Sequence, residues 1–173
     1  MPVSLSTLTV PAFVRGLKIL ATLLAKGAEH AASTGMAPEA LLGARLAGDM
    51  LPLSAQVQRA SDTSKFAAQR ITGGTAPGFA DDETTFEQLQ TRIAQTIAYL
   101  ESVDPALIDA GEGKEVQVKW GAAGATFTGT SYLLTFALPN FYFHIVTAYD
   151  ILRHQGVAIG KLDYLGPFGA GTA

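Results

Sequence analysis

The sequence predicts an all-α fold, an up-and-down four-helix bundle with a small β-hairpin before the last helix. Three observations carry this. Phe86, Leu89, Ile93, Ile97 and Leu100 recur at steps of three and four residues, and so do Phe13, Leu17, Leu20 and Leu24, each run lining one face of a helix. The same steps relate Leu133, Phe136, Asn140, His144, Thr147 and Ile151 near the C-terminus. Only residues 114–128 change period, where Val116 and Val118 alternate with Gln117 and Lys119 and the pattern resumes at Thr126-Phe127-Thr128.

The first helix is expected from about Val10 to Thr34, with Pro11 in its opening turn and Gly35 as its stop. Pro38 opens a short connector, Glu39 to Ala47. The second long helix begins at Asp49 or Leu51 and shows a slim face of Leu53, Val57, Ala60, Ser64, Ala67 and Ile71 before Gly73-Gly74. Residues 73–82, with Pro77 and Gly78, read as a loop, and Thr84 and Glu87 have the spacing of a capping box for the third long helix, which ends near Asp104-Pro105. The hairpin follows over 114–128, turning at Gly121-Ala-Ala-Gly124. The last helix spans about Thr130 to Gly156, with a kink expected at Pro139 because proline has no donor for the carbonyl of Thr135. Residues 166–173 form a glycine-rich tail expected to be mobile. With no repeat or low-complexity tract, residues 1–173 read as a single domain.

At 173 residues the chain can bury a substantial core without cross-links. It has 12 Lys plus Arg against 15 Asp plus Glu and a net charge of -3, which lacks the basic excess that a nucleic-acid partner requires. Cysteine is absent, so disulfides, thiolate nucleophiles and cysteine-ligated metals are all excluded. The start has no basic region before Arg15, which argues against a secretion signal and for a cytoplasmic protein. The stretch from Tyr132 to Leu152 is long enough to span a bilayer, yet it holds Pro139, Asn140, His144 and Asp150; a buried bundle helix is expected and no membrane contact. A hydrophobic fraction of 48% with 16% charged residues suggests additional covered surface, most simply in a homodimer, or else in a ligand pocket.

Asn140 and His144 interrupt an apolar stripe one helical turn apart, so they either pair within the core or line a polar site. An imidazole there can serve as general base or as a metal ligand. His30 and His154 fall at helix ends and read as exposed. Asp81, Asp82 and Glu83 read as negative charge at a helix start, and Arg45 with Asp49 as a local ion pair. No His-Glu-x-x-His, Gly-x-Ser-x-Gly or calcium-loop spacing occurs.

The runs Val10-Pro-Ala-Phe-Val-Arg-Gly-Leu17, Ala44-Arg-Leu-Ala-Gly-Asp-Met50, Leu138-Pro-Asn-Phe-Tyr-Phe-His144 and Thr147-Ala-Tyr-Asp-Ile-Leu-Arg153 resemble the bacterial domain-of-unknown-function 1993 family across nearly the whole chain. That family is similar in fold to the DinB/YfiT-like four-helix proteins, which include metal-dependent thiol transferases. The resemblance implies a site where the wider group holds a divalent metal with one His on the second long helix and a His-x-x-x-His pair on the fourth. His144 falls on the second member of that pair, Asn140 on the first, and Gln56, or alternatively Asp49, on the remaining position. The expected site is therefore a small-molecule pocket of Asp49, Gln56, Asn140, His144 and Tyr149, with no cofactor expected. Any metal would rest on His144, Asn140 and Gln56. The alternatives are a non-catalytic homodimer whose Asn140 and His144 form a core hydrogen-bond element, and a metal-dependent thiol transferase or hydrolase.

Overall fold

The computed structural model describes residues 3–120 and 123–167. Four long helices make the bundle: α1 (Leu5–Thr34), α3 (Leu53–Thr72), α4 (Phe86–Ser102) and α7 (Leu138–His154). Shorter elements are α2 (Pro38–Leu42), α5 (Pro105–Asp109), the strands β1 (Glu115–Trp120) and β2 (Ala123–Thr128), α6 (Gly129–Tyr132) and, after the bundle, α8 (Lys161–Leu165). The strands pair antiparallel from Glu115↔Thr128 to Trp120↔Ala123 and bury Val116 and Val118. Part of the expected hairpin turn, residues 121 and 122, lies outside the described residues, as do 168–173 of the expected tail. Gly166 and Pro167, by contrast, follow an ordered helical turn.

Several boundaries shift for local reasons. α1 starts at Leu5 because the Ser4 side chain accepts from the Thr7 amide, placing Pro11 on an exposed turn inside the helix. α2 stops at Leu42, ahead of Gly43, and α3 starts only at Leu53 because Pro52 biases the residue before it away from helical geometry. Capping of α4 falls one residue later than expected. Thr85 Oγ1 accepts from the Gln88 amide, while Gln88 Oε1 accepts from the amides of Thr85 and Thr84. Glu87 takes no part in this box and lies in the exposed first turn.

Strict alternation of helix directions is not what the packing shows. α3 and α7 run antiparallel, with Gln56 opposite His144 and Arg70 opposite Tyr132. α1 and α7 run parallel: Gly16 faces Phe141 and Ile145, and Gly27, three turns on, faces Leu152. A Cβ at Gly16 would stand 2.5 Å from the Phe141 ring, so only glycine allows this approach. α1 and α4 are antiparallel, with Gln90 donating to the Ala21 carbonyl and Lys18 near Glu101. The order of directions is therefore up, down, down, up, and His30 lies beside Gly156 at the end of α7, half-buried. His154 is exposed.

Residues 73–85 make this order possible. A 20-residue α3 spans about 30 Å, and the thirteen residues of the connection reach about 43 Å when extended. They travel back along α3, with Lys65 Nζ donating to the Pro77 carbonyl at 2.9 Å and Gln58 Nε2 to Glu83 at 2.9 Å. Arg92, 2% exposed, is the hub. Its Nε donates to Ser61 Oγ at 3.1 Å, one terminal nitrogen to Asp81 at 2.6 Å and Glu83 at 2.9 Å, and the other to Asp62 at 2.8 Å and the Gln58 carbonyl at 3.4 Å. All five guanidinium N–H groups are thereby used. Arg59 also pairs with Asp81 and Asp62, Lys65 pairs with Asp62, and Phe79 lies under both Lys65 and Arg92 with its centroid 4.2 and 4.7 Å away. Asp81 and Glu83 are thus ion-pair partners and not merely a charged helix start; Asp82 stays exposed.

Burial favours the neutral form of Asp81 and Glu83, but hydrogen bonds from Arg92, with Arg59 at Asp81 and the Glu83 main chain and Gln58 at Glu83, outweigh it and hold both carboxyls below their ordinary values. Stability from these two groups is complete above the usual carboxylate range and is lost as pH falls below it. Arg92→Met should lower stability by about 3–5 kcal/mol at neutral pH, since it leaves Glu83 without a cation and takes one from Asp81 and from Asp62. Urea unfolding at pH 7 and pH 3 should also show the variant losing less on acidification than the wild type.

Candidate functional site

His144 and Asn140 do not bond to each other; both reach across to α3. His144 Nδ1 lies 2.7 Å from Gln56 Oε1, and Asn140 Nδ2 donates to Thr63 Oγ1 at 2.8 Å. Arg70 donates to the Tyr132 hydroxyl at 2.9 Å, the third such bond between α3 and the final helical segment. On α3 the three partners, Gln56, Thr63 and Arg70, are seven residues apart and share a face. Across from them the steps are four and eight residues.

The eight-residue step stays in phase because of the backbone between α6 and α7. Leu133–Ala137 form a π-helical turn, closed by the Leu138 amide donating to the Leu133 carbonyl, with helix continuing on both sides. One residue is added to the turn, so eight residues complete the two turns that take about seven in a regular helix. The turn stands just ahead of Pro139, the position at which the sequence predicts a break in the regular hydrogen-bond ladder. The Thr135 hydroxyl donates back to the Ser131 carbonyl at 2.6 Å.

Protons around His144 are fixed by its neighbour. Gln56 Nε2 donates to the Leu51 carbonyl at 3.0 Å, so its Oε1 is the end that meets the imidazole. The imidazole must then carry its proton on Nδ1, leaving a lone pair on Nε2. No partner for Nε2 is found among the described residues, and no buried side-chain nitrogen or oxygen among them is unpaired, so Nε2 accounts for part of the 8% of His144 that solvent reaches. Burial, helped by the charge of Arg59, pushes the imidazole from 6.5 down to about 4. The ring is neutral at physiological pH, and the Phe143 ring stands edge-on to it with the two centres 5.4 Å apart.

Gln56, and not Asp49, is the polar residue of α3 that meets His144. Asp49 is exposed in the irregular segment after α2, and Arg45 bonds to the Met50 carbonyl instead of pairing with it. Tyr149 sits on another face of α7, with its ring 6.2 Å from that of Tyr164. Grooves of about 730 and 300 Å³ exist in the structure, but none of Asp49, Gln56, Asn140, His144 or Tyr149 lines either. The sequence pattern assigns no role to Thr63 or Arg92, and gives Asp81 and Glu83 only that of a charged helix start. Arg92 was detectable as a cation three residues after Leu89, at the edge of the apolar stripe of α4, with acidic residues in the preceding loop.

The donor set does not fit the metal that the fold resemblance implies. Among the described residues no group of three or more His, Asp or Glu side chains is placed to hold a metal ion. At the site itself the Gln56 oxygen meets the imidazole and the Asn140 amide nitrogen is committed to Thr63, which leaves one imidazole nitrogen and one neutral amide oxygen, fewer and weaker donors than a divalent metal site uses.

The buried neutral ring has a measurable effect. Because the folded-state value is below the ordinary one, the unfolded chain takes up the proton first as pH falls. Stability from this group is full above pH 6.5 and declines toward pH 4, by roughly 3 kcal/mol in total. Between pH 7 and pH 4.5, His144→Gln should lose markedly less stability than the wild type in denaturant titrations.

The comparisons with known proteins agree with this architecture. A crystal structure of a DinB family member protein from Shewanella denitrificans is similar, with 41% sequence identity over 96% of this chain and 95% of that chain and a TM-score of 0.87. No curated protein matches the chain. The model of the family described as Domain of unknown function (DUF1993) matches residues 5–165, and the chain belongs to that family.

Proposed function

We propose that the protein binds a small, largely apolar molecule at the outer edge of His144, through one hydrogen-bond donor such as a hydroxyl, thiol or amide. The observation that carries this reading is the fixed tautomer, in which Gln56 holds the proton on Nδ1 and Nε2 keeps a lone pair with no partner among the described residues. Two exposed apolar side chains are available near it for a ligand's apolar part: Phe143, 55% exposed with its ring 5.4 Å from the imidazole, and Leu51, whose carbonyl orients Gln56. Such a site favours binding over proton abstraction. An imidazole whose conjugate acid has a pKa of about 4 is a weak base at pH 7.

Fragment screening followed by ¹⁵N NMR of the histidine rings tests this. Free protein should show the Nδ1–H tautomer at His144, bound fragments should shift Nε2, and His144→Ala should remain folded while losing the fragments' thermal stabilisation. The reading is overturned if no fragment moves Nε2, or if those that do stabilise His144→Ala equally.

A second reading, in which the polar bonds between α3 and the final helical segment set helix register in a non-catalytic homodimer, is supported by the three-bond seam itself. It predicts coupling of about 0.5 kcal/mol or more in a Gln56→Ala, His144→Ala double-mutant cycle. The exposed Leu134, Phe143 and Val146 on one helical rod support the homodimer, and Phe143→Glu should then shift light scattering toward the monomer mass.

A further inference from the structure

A groove of about 730 Å³ runs along the outer side of α1, closed on one flank by the segment that carries α8. It lies within the range of small-molecule sites, about 300–1,000 Å³. Val10, Val14, Ile19 and Leu162 give it apolar walls, while Arg15 and Lys18 bring positive charge to it. Two carboxylates also border it, and each has its own cation: Glu101 lies 3.8 Å from Lys18, and Asp163 is held by Lys26 at 2.5 Å.

Arg15 is different. It is half-buried and donates to the carbonyl oxygens of Leu165 and, at 3.3 Å, Pro167, both uncharged acceptors. Among the described residues no carboxylate pairs with it. Those two bonds use two of the five guanidinium N–H groups, leaving three donors and a full positive charge at the edge of an apolar groove. A half-buried cation with only neutral partners is a poor use of charge for stability alone, and a planar carboxylate complements it in both charge and shape.

We infer that this groove binds an amphipathic carboxylate of the medium-chain fatty-acid class, the carboxylate paired with Arg15 and the chain lying along Val10, Val14, Ile19 and Leu162. The site is separate from His144 and stands or falls independently of it.

Isothermal titration with decanoate, and with 1-decanol as its uncharged counterpart, tests the assignment on the intact chain. Wild-type protein should bind one decanoate saturably, with affinity falling as salt rises, and should bind decanol at least about tenfold more weakly. Arg15→Gln should weaken decanoate by about tenfold or more while leaving decanol unchanged. Because Arg15 also tethers the C-terminal segment, Leu162→Asp provides a second test. Leu162 is 74% exposed, so the substitution leaves the fold intact and sets a negative charge against the ligand; decanoate binding should be lost. No saturable decanoate binding up to about millimolar concentration, equal affinity of Arg15→Gln and wild type, or unaltered binding by Leu162→Asp would each overturn the proposal.

Discussion

The bundle depends on one buried ionic hub. Arg92 spends all five of its donors on the connection between α3 and α4 and on α3 itself, and that connection must run the length of the molecule for α4 to lie parallel to α3. Three cations, Arg59, Lys65 and Arg92, face three anions, Asp62, Asp81 and Glu83, so the cluster is neutral as a unit. Taking an ion out of water costs several kcal/mol, and only full pairing with good geometry offsets that. The same requirement makes the cluster specific: few alternative paths for residues 73–85 would leave every one of these charges matched.

With α4 committed to one side of α3, the other side is left to the final helical segment. α1 accepts that segment in parallel through Gly16 and Gly27, and α3 accepts it antiparallel through the polar seam. The π turn reconciles the two. Without its extra residue, either Tyr132 or Asn140 would turn away from α3, and a 0% exposed tyrosine hydroxyl would lose its partner. Pro139, which cannot donate, stands where the regular ladder is already interrupted.

His144 inherits its chemistry from this arrangement. In this DUF1993 family chain the histidine of the final helix faces an amide side chain of α3. Gln56 binds the inner nitrogen, and burial with Arg59 nearby keeps the ring neutral. What remains is one imidazole lone pair, on Nε2, without a partner among the described residues. α1, which is long and apolar enough to cross a membrane by composition alone, instead turns Phe13, Leu17, Leu20 and Leu24 into the core and carries Arg15, Lys18 and Lys26 away from it.

Helices and hairpin were legible in the sequence because period and caps are local: the steps of three and four in α4, the alternation of Val116 and Val118, and the interruption of an apolar stripe at Asn140 and His144 require only near neighbours along the chain. Even the crossover left a trace, since thirteen residues are more than antiparallel neighbours need. Helix directions, the partners of Asn140 and His144, the separation of Tyr149 from them, and the pairing of Arg92 were decided by tertiary structure. Each depends on which residues far apart in sequence come to share a buried space, where an unpaired charge or amide is costly enough to select one packing and exclude the rest.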